Sequence, residues 1–158
     1  MTIIKNKKKV SESLIENFQI QLFTGLAVDE IFCGSKLLQM VEKVAMEVAK
    51  KHSDYNCIPK GIDFVRFFNS AKKGDLLYCY ASINRVWDTF MEVGIKVIAD
   101  DFRMLDRKKI MSAYFTFLAT NQDNQKIIVP EIIAETSFQK KRFLKAEIRR
   151  RSKNRVLC

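Results

Sequence analysis

The chain has 158 residues, 47% hydrophobic and 11% aromatic, which excludes disorder and predicts one domain with a proper core. Its formal charge of +10 implies an anionic partner, and nucleic acid, a membrane surface or a phosphorylated small molecule are the candidates. No apolar run of about eighteen residues occurs, so no transmembrane segment is expected.

In chain order, residues 1–12 are polar and basic and read as a mobile N-terminus, without the apolar region of a secretory signal. Phe18 to Thr24 alternates as a first strand, and Gly25 to Cys33 is a loop. A long helix follows, with Leu37, Leu38, Val41, Val44, Ala45 and Val48 on one stripe. Ser35 is its expected N-cap, and Lys50, Lys51 and His52 suit the negative end of the helix dipole. Glu42 shares a stripe with Leu38, Ala45 and Ala49, so its carboxylate stands beside the apolar face. Lys43 and Glu47 point further round, to solvent.

Cys57 to Phe68 is rich in β-branched and aromatic residues and reads as a strand with Pro59 near its start. The turn Asn69 to Asp75 leads to a hairpin of Leu76 to Val86 and Thr89 to Ala99. In its second arm Met91, Val93, Ile95 and Val97 alternate with Phe90, Glu92, Gly94 and Lys96, the period of a strand with one buried face. A charged loop, Asp100 to Lys108, precedes a last long strand, Lys109 to Thr120. Asn121 to Gln125 is a turn, and Ile127 to Ile133, with Pro130, is at most an edge extension. Glu135 to Asn154 reads as a basic helix with Phe138, Phe143, Leu144 and Ile148 on its apolar side. The four cysteines, at positions 33, 57, 79 and 158, have no framework spacing and read as reduced thiols of a cytoplasmic protein. Strand, long helix, then consecutive antiparallel strands is an α+β order, and a central helix wrapped by such a sheet is the hotdog arrangement.

Five segments, in order and spacing, resemble the hotdog-fold acyl-CoA thioesterases of the cytosolic acyl-CoA hydrolase type. They are the helix start Gly34-Ser35 with Met40-Val41-Glu42, the run Gly61 to Phe67 with Gly74-Asp75 in register, and Asp88-Thr89-Phe90-Met91-Glu92-Val93. Ala113 to Phe117 with Val129-Pro130, and Glu135-Thr136 to Phe143, complete the match. The resemblance implies a hotdog domain over residues 13–133 and a basic C-terminal helix or tail over 134–158. It implies hydrolysis of acyl-CoA to free acid and coenzyme A, with no cofactor, since coenzyme A is part of the substrate. It further implies a homodimer, assembled into a homohexamer as a trimer of dimers, with each site shared by two protomers. Carried over, Glu42 is the base, the amides of Gly34 and Ser35 face the thioester carbonyl, and Glu30 or Asp29 assists from the other protomer. Thr89, Phe90 and Arg66 are the expected coenzyme A contacts.

Two departures bear on activity. The family has Asp where this chain has Glu42, and an Asn in the loop where this chain has Asp29 and Glu30. A non-catalytic acyl-CoA-binding protein is therefore the alternative reading. Nucleic-acid binding is a further one, disfavoured because no such motif is present. Cys33 precedes the helix, but the only histidine, His52, is roughly 25 Å away at 1.5 Å per residue, which leaves a cysteine nucleophile without a base.

Overall fold

The computed structural model describes residues 6–20, 27–28, 31–32, 34–72, 74–101 and 106–156. Strand β1 (Lys7–Lys9) leads through a 3-10 turn (Val10–Glu12) to β2 (Ile15–Ile20). Two short strands, β3 (Ala27–Val28) and β4 (Ile31–Phe32), pair with each other ahead of helix α1 (Gly34–Ser53). The long strands β5 (Asn56–Phe67), β6 (Leu76–Trp87), β7 (Phe90–Asp101) and β8 (Asp106–Thr120) follow. The described chain closes with β9 (Glu131–Ile133) and α2 (Ser137–Val156).

Five strands form one antiparallel sheet in the order β2-β6-β7-β8-β5. Helix α1 lies on one face, as the α+β hotdog reading requires. Its buried side, Leu37, Val41, Val44, Ala45 and Val48, meets the inward residues of β7 and β8, among them Met91, Val93, Phe115 and Phe117. Each large side chain buried there contributes roughly 1.5–3 kcal/mol. At the far end of α1 the His52 ring is buried, and its Nε2–H donates to the Pro130 carbonyl at 2.7 Å. Burial pushes its pKa below the ordinary value, so the folded chain holds the ring neutral.

Several expectations need correction. Residues 7–12 are not a loose tail: β1 pairs in parallel with β9, and Val10 is buried in the core. Strand β2 begins at Ile15 rather than Phe18, and residues 21–24 lie outside the described residues. The expected charged loop shrinks, because β7 runs on to Asp101 and β8 starts at Asp106. Arg107 Nε donates to Asp100 Oδ1 at 2.7 Å across that ladder, so charge here stabilises pairing. Helix α1 already includes Gly34, which places Ser35 inside the first turn and not at the cap.

Helix α2 differs most. Phe138, Leu144 and Ile148 are 74, 63 and 64% exposed. The packed side instead carries Phe143, Ala146, Arg149 and Arg150, laid on the sheet face opposite α1. That face presents Trp87, Phe90, Glu92 and Tyr114, which attract cations more than alkyl groups. Arg150 sits 4.6 Å from the Trp87 ring centre, and Arg85 sits 4.0 Å from that of Phe143.

Candidate active site

The first turn of α1 and the end of β5 are built against each other. A side chain on Gly34 would begin 2.8 Å from the tip of the Phe67 ring, so only glycine lets that ring rest on the helix start. Strand β5 reaches this position through a bulge between Asp63 and Arg66, where Phe64 takes a left-handed conformation (φ 49°), unusual for a bulky residue. Gly34, Phe67, Phe68 and Ile110 then line a cavity of about 330 Å³ at the N-terminus of α1. Free amides and the positive end of the helix dipole meet there, a setting suited to a developing oxyanion.

Glu42 lies eight residues further on, about 12 Å along the axis at 1.5 Å per residue. Lys43 and Glu47 line the groove between α1 and β2. Glu42 therefore stands on the other flank, toward β5, whose outer side has no partner strand among the described residues. It is half-buried. Within one protomer the Gly34 and Ser35 amides and the Glu42 carboxylate do not converge on one atom. Asp29, Glu30 and Cys33 lie outside the described residues.

The expected coenzyme A contacts also divide. Arg66 pairs with Ser112, and Phe90 pairs with Leu118, six residues apart on β8 or about 20 Å at 3.4 Å per residue. Thr89, in the β6–β7 turn, uses its carbonyl to accept the Ala119 amide at 3.0 Å. Among the described residues no cluster of three or more His, Cys, Asp or Glu could hold a metal.

The model of the thioesterase superfamily matches residues 31–104. The rat cytosolic acyl coenzyme A thioester hydrolase is 28% identical over 112 residues, which is 70% of this chain and 29% of that protein. This chain thus spans less than a third of that relative. A hexameric acyl-CoA thioesterase solved in the apo state superposes with a TM-score of 0.92 at 21% identity, covering 97% of this chain and 98% of that one. An acyl-CoA hydrolase from Staphylococcus aureus, in complex with butyryl coenzyme A and coenzyme A, superposes with a TM-score of 0.85 at 24% identity, covering 95% and 93%.

The chain has the hotdog fold of these solved structures, and residues 31–104, just under half of it, resemble the thioesterase superfamily.

In this hotdog domain sequence reasoning missed the polar network on the outer sheet face. Glu92, 3% exposed, accepts from Asn84 Nδ2 at 2.9 Å and from Arg149 Nε at 3.1 Å. The Arg149 guanidinium also covers the Tyr114 ring at 3.7 Å. Beside it, Glu147 accepts from Trp87 Nε1 at 2.8 Å and pairs with Arg85 and Arg151. Lys153 pairs with Asp63. Arg149 and Arg150 thus anchor α2 to the sheet, whereas Arg151 pairs with Glu147 within the helix. The one sequence signal was an acidic residue, Glu92, at an outward position of the strand.

Among the described residues the two thiols, Cys57 and Cys79, are buried in the core, away from the helix start. Burial raises the Cys57 pKa and pushes that of Cys79 up to about 12.

Proposed function

We propose that this hotdog protein hydrolyses acyl-CoA thioesters to free acid and coenzyme A. The observation that carries the reading is the helix start at Gly34, kept open beneath Phe67 beside a cavity, with Glu42 on the helix flank that faces the free edge of β5. Pairing of that edge with a second copy would bring Glu42 of one protomer toward the helix N-terminus of the other. The division of Arg66 from Thr89 and Phe90 is consistent with the same assembly, in which opposite ends of two sheets meet. A homodimer, and a homohexamer as a trimer of dimers, are therefore part of the proposal, as is a cytoplasmic location.

In the proposed step the Gly34 and Ser35 amides hold the thioester carbonyl. Glu42 takes a proton from water, which attacks the carbonyl carbon. The carbon–sulfur bond breaks, and coenzyme A leaves as the thiol once it is protonated. Asp29 or Glu30 of the second protomer orients the water.

Thiol release from short, medium and long acyl-CoAs, by wild type beside Glu42→Ala, tests this. Turnover lost in the variant with its assembly intact supports the reading. Binding of acyl-CoA without any thiol release supports the non-catalytic alternative, which the extra methylene of Glu42 and the Asp29-Glu30 loop favour, since a misplacement of about 1 Å can cost on the order of a hundredfold in rate. Nucleic-acid binding is disfavoured because Arg149, Arg150 and Lys153 engage the chain's own sheet.

A further inference from the structure

Helix α2 presents to solvent a face that the proposed hydrolytic site does not use. Its packed side, where Ala146 is fully buried, lies on the sheet. On the opposite side Leu144 and Ile148, one turn apart, form an exposed apolar ridge, and Phe138 stands exposed near the N-terminal end of the helix. Lys140 flanks the ridge on one side, and Lys141 and Lys145 flank it on the other. Each lies three or four residues from Leu144 or Ile148, the spacing of neighbours on a helix surface. All three lysines are exposed, and none is ion-paired with a carboxylate among the described residues.

Charge and apolarity together select the occupant. Nine of the 20 residues of α2 are Lys or Arg, and one, Glu147, is acidic. Glu147 is already engaged by Trp87, Arg85 and Arg151, so it does not neutralise the ridge. A second copy offering the same face would set like charges against each other. A nucleic-acid backbone would pair with the lysines but give Leu144 and Ile148 nothing apolar to enter. A lipid surface with anionic headgroups takes both parts. The aliphatic ridge enters the acyl boundary, and the lysine stems lie along it with their ammonium groups at the phosphates. Among the described residues no helix is long and apolar enough to cross a membrane, so α2 would lie on the surface and not span it.

We propose that the outer face of α2 is a reversible docking surface for an anionic membrane, with Leu144 and Ile148 seated among the lipid headgroups and Lys140, Lys141 and Lys145 on their phosphates. The inference goes beyond thioester hydrolysis and does not depend on it.

Flotation of the full chain with phosphatidylcholine vesicles, with and without about one-quarter phosphatidylserine, tests it. Wild type is expected to float with the anionic vesicles, to stay behind with the neutral ones, and to be released as salt rises. Lys141→Gln combined with Lys145→Gln is expected to weaken binding about tenfold or more, since each cation at an anionic leaflet counts for about fivefold. Leu144→Gln combined with Ile148→Gln keeps every charge and is expected to weaken binding about fivefold or more. All four side chains are exposed, so an unchanged urea midpoint is the expected control. No flotation of wild type overturns the proposal. Equal flotation of the folded Leu144→Gln, Ile148→Gln variant overturns it as well, because only a diffuse attraction of charge would then remain. A particle mass that falls in that variant assigns the face to a second copy and overturns it. So does a DNA duplex bound more tightly than the vesicles and equally by wild type and that variant, which assigns the face to nucleic acid. Thiol release by wild type reads the hydrolytic proposal separately, so either can fail alone.

Discussion

The Asn84 amide rests directly on Gly94: a side chain added there would begin 2.8 Å from Asn84 Nδ2. That contact lets the amide reach Glu92, and Glu92 in turn fixes Arg149 of α2. Gly94→Ala should therefore overpack the strand and cost about 1–3 kcal/mol. Urea unfolding reads this directly, and a midpoint equal to wild type would show that Asn84 moves aside freely.

Glu92 and Arg149 form the most buried ion pair of the outer face, with side chains 4 and 12% exposed. Removal of either partner strands the other charge. Glu92→Ala is expected to cost about 3–5 kcal/mol, and Glu92→Met with Arg149→Met much less. A double-mutant cycle by chemical denaturation measures the difference. Simple additivity of the two single changes would mean the pair is not coupled.

His52 makes stability depend on pH with a definite sign. Burial lowers its folded pKa below the ordinary 6.5, so the folded state resists protonation while the unfolded state accepts it. The contribution is fully present above about pH 6.5 and is lost as pH falls from there through the folded value. The slope cannot exceed about 1.4 kcal/mol per pH unit, the limit for one proton. Unfolding free energies from pH 7.5 to 5 should show a slope that disappears in His52→Gln.

Gly34→Ala separates stability from function. The opposing atom is the tip of the half-exposed Phe67 ring, which can swing away, so the change in stability should stay within about 1 kcal/mol. The helix start would be displaced, and thiol release should fall roughly tenfold or more. Activity at the wild-type level would remove the helix start from the proposed site.

Cys57 and Cys79 should resist alkylation in the native protein. With its pKa pushed up to about 12, Cys79 is about one part in ten thousand thiolate at pH 8. Peptide mapping after native labelling should find both unmodified, whereas labelling in urea should reach both. Fast native labelling of Cys79 would mean that the core opens readily.

The sequence made α1 and the β6–β7 hairpin legible because each carries a single unbroken period. The apolar stripe from Leu37 to Val48 and the alternation from Met91 to Val97 each match one buried face. Strand β2 was displaced by three residues because Asn17, at φ 54°, breaks its alternation. Helix α2 was read correctly at Phe143 but wrongly at Phe138, Leu144 and Ile148, for a reason of chemistry. Apolarity normally marks the buried side, but its receiving surface is aromatic and acidic, so arginines make the better fit. Gly34 and Glu42 were legible as candidates. The Asn84–Glu92–Arg149 network was not, since it joins two strands and a helix distant in sequence, and no local pattern reports such a contact.

The parallel pairing of β1 with β9 joins Lys7 to Glu131, residues 124 positions apart. Lengthening a loop to that size adds little entropy, only about 0.6 kcal/mol per doubling. The demand is one of sequence in time: β9 cannot receive β1 until the sheet between them exists. The clasp is expected to close late and open early, so that a load on the N-terminus, such as a fused partner, bears on it first.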